Sequence, residues 1–135
     1  MAEPQDTEGM VRGALEAFNS GDTEAFLGRF SDDMRFRMNG THGFSNPCAS
    51  KAEFVDLVGR VVAGLSEMIQ LEVESFHVAG EWVICEAAGR AKTTAGEPYL
   101  NSYCMLWHVR DGKIVELKEY NDSALIERMF FPEGR

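Results

Sequence analysis

Apolar positions recur three and four residues apart through the first half of the chain and alternate through the second, so the period of the pattern changes once. Met10, Ala14, Leu15 and Phe18 repeat at helical spacing ahead of Gly21, which predicts an amphipathic helix over residues 6 to 20. Asp22 is placed to cap a shorter helix burying Phe26, Leu27 and Phe30, with Ser31, Asp32 and Asp33 as a polar turn after it. Residues 34 to 39 alternate strictly, Met34, Phe36 and Met38 against Arg35, Arg37 and Asn39, and read as a half-buried strand. Gly40 to Ala49 is the longest irregular stretch and a candidate lid. Ser50 and Glu53 then form a capping-box pattern, and Phe54, Leu57, Val58, Val61, Leu65 and Met68 mark a long helix. From Gln70 onward four strand-like runs follow, near 70 to 79, 82 to 94, 98 to 110 and 113 to 121, each separated by turn chemistry. The pattern predicts one α+β domain over residues 1 to 135, a curved, mostly antiparallel sheet with three helices from the N-terminal half packed on one face.

Turn chemistry suggests a register for the last three strands. A two-residue loop at Ala95-Gly96 would set Arg90 opposite Asn101, Ala88 opposite Tyr103 and Glu86 opposite Met105. A three-residue loop at Arg110-Asp111-Gly112 would pair Val109 with Lys113, Tyr103 with Glu119 and Asn101 with Asn121. Paired side chains lie about 5 Å apart at Cβ, so one face would carry Arg90, Asn101 and Asn121 in a row, then Ala88, Tyr103 and Glu119, then Glu86, Met105 and Leu117. Below these come the apolar Trp107 and Val115. One end of the sheet would close a core, and the other would floor a cavity with polar groups in it.

Composition narrows the function. A formal net charge of −9 argues against a phosphate-backbone partner. No apolar run approaches the roughly 20 residues that span a bilayer. The acidic N-terminus, MAEPQDTEG, lacks a basic-then-apolar signal pattern, which predicts a cytoplasmic protein without a membrane partner. Cys48, Cys85 and Cys104 have no CxxC or histidine-rich spacing, so they read as reduced apolar fillers, and neither a metal site nor a cofactor is expected.

The stretch AFNSGDTEAFLGRFSDDM and, more distinctively, GEPYLNSYCMLWHVRDGKIVELKEYNDSAL resemble SnoaL-like members of the nuclear transport factor 2-like superfamily. The resemblance implies a cone-shaped α+β barrel, a pocket between sheet and N-terminal helices, and homodimerisation through the outer sheet face. Relatives include ketosteroid isomerases, polyketide cyclases, dehydratases, limonene epoxide hydrolases and non-catalytic binding domains. Aligned on the glycine turns, the ketosteroid isomerase base falls at Met38 and its oxyanion tyrosine and aspartic acid at Ala14 and Met105, so that catalytic set is absent. The epoxide hydrolase arginine and aspartate fall at Glu86 and Ala88, leaving only the acid at Glu119.

Glu119 beside Tyr103 is the candidate acid/base pair, because a carboxyl group in a partly desolvated cavity titrates nearer neutrality. The same two groups would equally satisfy each other as a buried hydrogen bond. Asn101, Asn121 and Arg90 are candidates to bind a ligand oxygen, His42 to swing over the site from the lid, and Met38 and Met105 to form an adaptable apolar wall. Asp122 reads as a helix cap before SALIERMF, while His77 and His108 show no ligand spacing. The leading expectation is a cofactor-independent isomerase, cyclase or dehydratase acting on a small apolar organic ligand. The alternatives are epoxide-hydrolase-like water activation and a non-catalytic small-ligand or protein-interaction module.

Overall fold

The structure, a computed structural model, describes residues 4–133; the first three residues of the acidic N-terminal stretch lie outside it. Four helices and five strands follow one another as α1 (Pro4–Ser20), α2 (Thr23–Leu27), β1 (Phe30–Met38), α3 (Lys51–Ala63), β2 (Leu65–Ala79), β3 (Trp82–Thr93), β4 (Pro98–Arg110), β5 (Lys113–Asn121) and α4 (Ser123–Phe130). The strands form one sheet in the order β1-β5-β4-β3-β2, in which only β1 and β5 run parallel. The fold is the expected α+β cone, with a fourth, C-terminal helix added to the three of the N-terminal half.

Local chemistry sets most of the boundaries. Asp22, Ser50 and Asp122 each accept a hydrogen bond from a backbone N–H three residues on, which caps α2, α3 and α4 in turn. The Glu53 carboxylate also accepts from the Ala49 N–H, closing the capping box. The long helix expected to reach Met68 instead ends at Ala63. Gly64 donates to the Val61 carbonyl, and the chain from Leu65 onward joins the sheet against β3. Ser31, Asp32 and Asp33, expected as a turn, belong to β1, whose register shifts between Phe30 and Arg35.

Both hairpin registers differ from those expected, with opposite consequences. Thr94, Ala95 and Gly96 form a three-residue loop closed by a bond from the Thr93 N–H to the Glu97 carbonyl, with Gly96 at φ +84°. One extra loop residue reverses every side chain of β3, so that Gly89 faces Asn101, Ala87 faces Tyr103 and Cys85 faces Met105. Arg90, Ala88 and Glu86 therefore lie on the outer face, where Arg90 and Glu86 are exposed and Ser75 Oγ donates to Glu86. At the next hairpin Asp111 and Gly112, at φ +52° and +74°, make a two-residue loop instead of three. A bulge beyond Ile114 then inserts a residue, so the two departures cancel in parity. Leu117, Glu119 and Asn121 keep the inward face but pair with Trp107, Met105 and Tyr103, and Ile114 replaces Val115 in the core.

The core lies between the concave face and the helices. Phe26, Phe30, Phe36, Phe54 and Trp107 meet there in edge-on and tilted contacts with centroids 4.9–6.4 Å apart. Asn19, at the end of α1, donates from Nδ2 to the Leu71 carbonyl and accepts from the Leu71 N–H, standing in for a neighbouring strand at the edge of β2. The irregular segment is held down at its far end by paired backbone bonds between Phe36 and Cys48. Among the described residues no helix is long and apolar enough to cross a membrane.

Candidate functional site

A cavity of about 110 Å³ remains between the concave face of the sheet and the helices. The sheet contributes Met38, Met105, Trp107, Leu117 and Tyr103, while α1, α3, α4 and Phe44 of the irregular segment close it with apolar side chains. Among the described residues on this wall Glu119 is the one carboxyl. It stands there because β5 alternates inward at 117, 119 and 121 and its backbone is fixed on both sides, by pairing with Met105 and by the Asn39 N–H on its carbonyl.

Glu119 is half-buried as a residue, and its carboxyl is enclosed by protein on the cavity wall. Burial among apolar walls disfavours the ion and pushes its pKa up to about 7, against the smaller opposing effect of Asn121. Asn121 Nδ2 donates to Glu119 Oε2 at 2.8 Å, while Asn121 Oδ1 is buried without a partner. The Asn121 backbone is held by Asn39, whose Oδ1 accepts from its N–H and whose Nδ2 donates to its carbonyl, both at 3.0 Å. A fixed backbone thus carries an amide whose only side-chain partner is the carboxyl.

Tyr103 and Glu119 share the cavity, but no hydrogen bond joins them. The Tyr103 ring lies over Gly89 on β3, where an added Cβ would sit 2.5 Å from Cε1, so the ring leans away from β5. Its hydroxyl meets that of Tyr99 at 2.8 Å. Asn101 Nδ2 donates to the Tyr99 hydroxyl at 2.8 Å, and Asn101 Oδ1 accepts from the N–H groups of Ser102 and Asp122. That double acceptance fixes which end of the amide faces Tyr99. Burial pushes the Tyr99 phenol up to about 12, and raises Tyr103 further still with help from the Glu119 charge.

The remaining expectations divide. Met38 and Met105 line the cavity, whereas Asn101 and Asn121 stand one step behind its wall, on Tyr99 and Glu119. Arg90 is excluded from the site by the reversed register of β3. His42 does not reach the cavity wall. Its ring is buried, stacked on Phe131, and Nδ1 accepts from the Phe44 N–H at 3.1 Å, which puts the ring proton on Nε2. Burial lowers the His42 pKa against the opposing charge of Glu127. Tyr99 was not singled out in the sequence, although it shares the inward parity of Asn101 and Tyr103 and that alternation could have found it. Among the described residues no group of three or more His, Cys, Asp or Glu could hold a metal ion, and burial raises the Cys48 and Cys85 thiols away from reactivity.

A strongly curved sheet closed by helices around an apolar cavity, with polar groups gathered at one end of it, is the architecture of the nuclear transport factor 2-like proteins. Within that class the chain belongs to the SnoaL-like domain family, whose model matches residues 11–117. Its fold is similar to that of an NTF2-like protein of unknown function from Burkholderia pseudomallei, at 19% identity over 97% of this chain and 99% of that one, with a TM-score of 0.84. It is also similar to a candidate isomerase from Bacillus subtilis (20% identity, 96% of each chain, TM-score 0.77). A third likeness is to IdmH, a candidate polyketide cyclase from Streptomyces antibioticus (22% identity, 95% of this chain and 98% of that one, TM-score 0.73). No curated protein matches the sequence. At such identities the likeness shows the fold, and any chemistry has to be argued from the site.

Proposed function

We propose that the protein is a cofactor-independent enzyme that moves a proton on a small, largely apolar carbonyl compound, as an isomerase, cyclase or dehydratase does, with Glu119 as the acid/base. The observation that carries this reading is one carboxyl enclosed in an apolar cavity and titrating at about 7. At neutral pH such a group is available in both protonation states, which proton transfer in two directions requires.

In this reading the ionised carboxyl takes a proton from the carbon next to the carbonyl, the electron pair moves onto oxygen, and the carboxylic acid returns the proton elsewhere on the molecule. No co-reactant is consumed. Asn121 suits either state of Glu119, donating from Nδ2 to the ion and, with its amide turned over, accepting from the acid through the otherwise unpartnered Oδ1. Tyr103 supplies the donor for the developing oxyanion. The 2.8 Å contact between the two hydroxyls lets either one donate, and when Tyr99 donates to Tyr103 the Tyr103 proton is left for the ligand. The candidate isomerase and cyclase among similar folds are compatible with such chemistry. The protein is further read as a homodimer through the outer sheet face, where Leu100 is 66% exposed and Cys104 and Leu106 are half-buried.

The test needs no known substrate. Small ketones incubated with the protein in deuterium oxide should gain deuterium beside the carbonyl, followed by mass spectrometry, and Glu119→Gln should slow that gain by about 10²-fold or more. Ketones that bind but exchange no faster than in buffer would assign the cavity to ligand binding without catalysis.

A further inference from the structure

We propose that His42 pins the irregular segment, residues 40 to 48, onto α4, and that protonation of its ring releases both elements together and opens the cavity from this side. The inference rests on the cavity described above and not on the proton-transfer reading.

The segment is anchored at its two ends, by Asn39 on Asn121 and by the backbone bonds between Cys48 and Phe36. Between them it lies flat on α4. A Cβ at Gly40 would stand 2.8 Å from Ser123 Cβ, and one at Gly43 would stand 2.6 Å from Phe131 Cε1. The His42 ring stacks on Phe131 with centroids 5.9 Å apart, and Phe44 meets Phe130 and Phe131 edge-on at 5.4 and 4.7 Å. Phe44, Ile126 and Phe130 are also part of the cavity wall. The contacts that hold the segment on α4 are therefore the ones that close this side of the cavity.

His42 suits this closure only as a neutral ring. It is 7% exposed, its Nε2 is buried without a partner, and its Nδ1 accepts from the Phe44 N–H two residues on, as an asparagine does in an Asx turn. A second proton has to enter at Nδ1, where that N–H already points, so donor would face donor while the new charge lies buried. Ser45 Oγ, 3.3 Å from Nδ1 and donating to the Asn39 carbonyl, can accept the added proton but does not turn the Phe44 N–H away. Among the described residues, Glu127 of α4 is the charged group acting on the ring, and it favours the cation. Arg60 of α3 reaches the segment beside it, donating to the Gly43 carbonyl at 3.4 Å and lying 5.6 Å from the Phe44 ring. From β1 and the segment itself the neighbours are Asn39 and Ser45, which do not titrate. Burial outweighs Glu127 and holds the His42 pKa below its ordinary value. Closure is thus fully favoured above about pH 6.5 and weakens as pH falls below it.

Hydrogen–deuterium exchange of the natural protein, followed by mass spectrometry and corrected for the intrinsic pH dependence of amide exchange, tests this without any ligand. Between about pH 7.5 and about pH 5.5, protection of residues 40–48 and of α4 should fall together about five- to tenfold, while that of β4 holds. His42→Asn keeps an acceptor for the Phe44 N–H but does not titrate, so it should abolish this fall even if it lowers protection at every pH. Glu119 protonates over the same range, but its protonation favours the folded state and so cannot imitate the loss. Protection that does not change with pH, a fall confined to one of the two segments, or an undiminished fall in His42→Asn overturns the inference. Should that variant not fold, the pH profile of the natural protein decides. Loss that sets in near pH 6.5 supports the latch, and loss that begins only below about pH 5 belongs to carboxylates and overturns it. Because no ligand is used, the result stands or falls separately from deuterium gain by ketones.

Discussion

Among the described residues no cation stands beside Glu119, and its burial links its titration to folding. Its pKa is about 7 in the folded chain and 4.5 as the ordinary value, so between those limits the folded state holds more protons than the unfolded one. The stabilising difference is fully present below about pH 4.5 and is lost as pH rises through 7, a change of up to roughly 3 kcal/mol. Urea unfolding of Glu119→Gln should lack this fall, so the variant should gain on the natural protein between pH 4.5 and 8. A stability difference that stays flat with pH would show that the carboxyl is solvated. Gly89 makes a second residue-scale case. Adding a methyl group there meets Tyr103 Cε1 at 2.5 Å and Leu71 Cδ2 at 3.3 Å, so Gly89→Ala should cost about 1–3 kcal/mol by overpacking. The same change in a Tyr103→Leu background should cost clearly less, a double-mutant cycle that reads the contact directly.

At the scale of elements, α4 is tied to the site through its cap. The Asp122 side chain accepts from the Leu125 N–H at 3.2 Å, and its backbone N–H donates to Asn101, whose amide donates to the Tyr99 hydroxyl. Asp122→Ala should destabilise the protein by about 1 kcal/mol, measured by thermal or urea unfolding. The elements were largely legible in the sequence, and caps at Asp22, Ser50 and Asp122 fall where side-chain chemistry puts them. Hairpin register was not. Ala95-Gly96 and Asp111-Gly112 are compatible with loops of two or three residues, and the choice is made by pairing along the whole strand rather than by the turn.

At the scale of the molecule, the two faces of the sheet differ in kind. The concave face is covered by helices, while the outer face presents Leu100, Cys104, Leu106 and Tyr120, the last 40% exposed, to solvent. Sedimentation at micromolar concentration should show a two-chain species, and Leu100→Glu combined with Leu106→Glu should convert it to one chain whose circular dichroism stays that of the folded protein. A single-chain species for the natural protein would remove the dimer.

The order of helices and strands follows from the sequence alone, because a change of period from 3.6 to 2 needs no knowledge of neighbours. So does the grouping of residues within each strand, since the alternation that sets Leu117, Glu119 and Asn121 together on β5 and Tyr99, Asn101 and Tyr103 together on β4 is a local property. Tertiary structure decided the relations between strands. One loop residue more between β3 and β4 turned Arg90 out of the site, and one bulge kept Glu119 in it. It also decided that Tyr103 leans over a glycine toward Tyr99 instead of meeting Glu119. Packing across strands fixes such contacts, and no single stretch of chain encodes them.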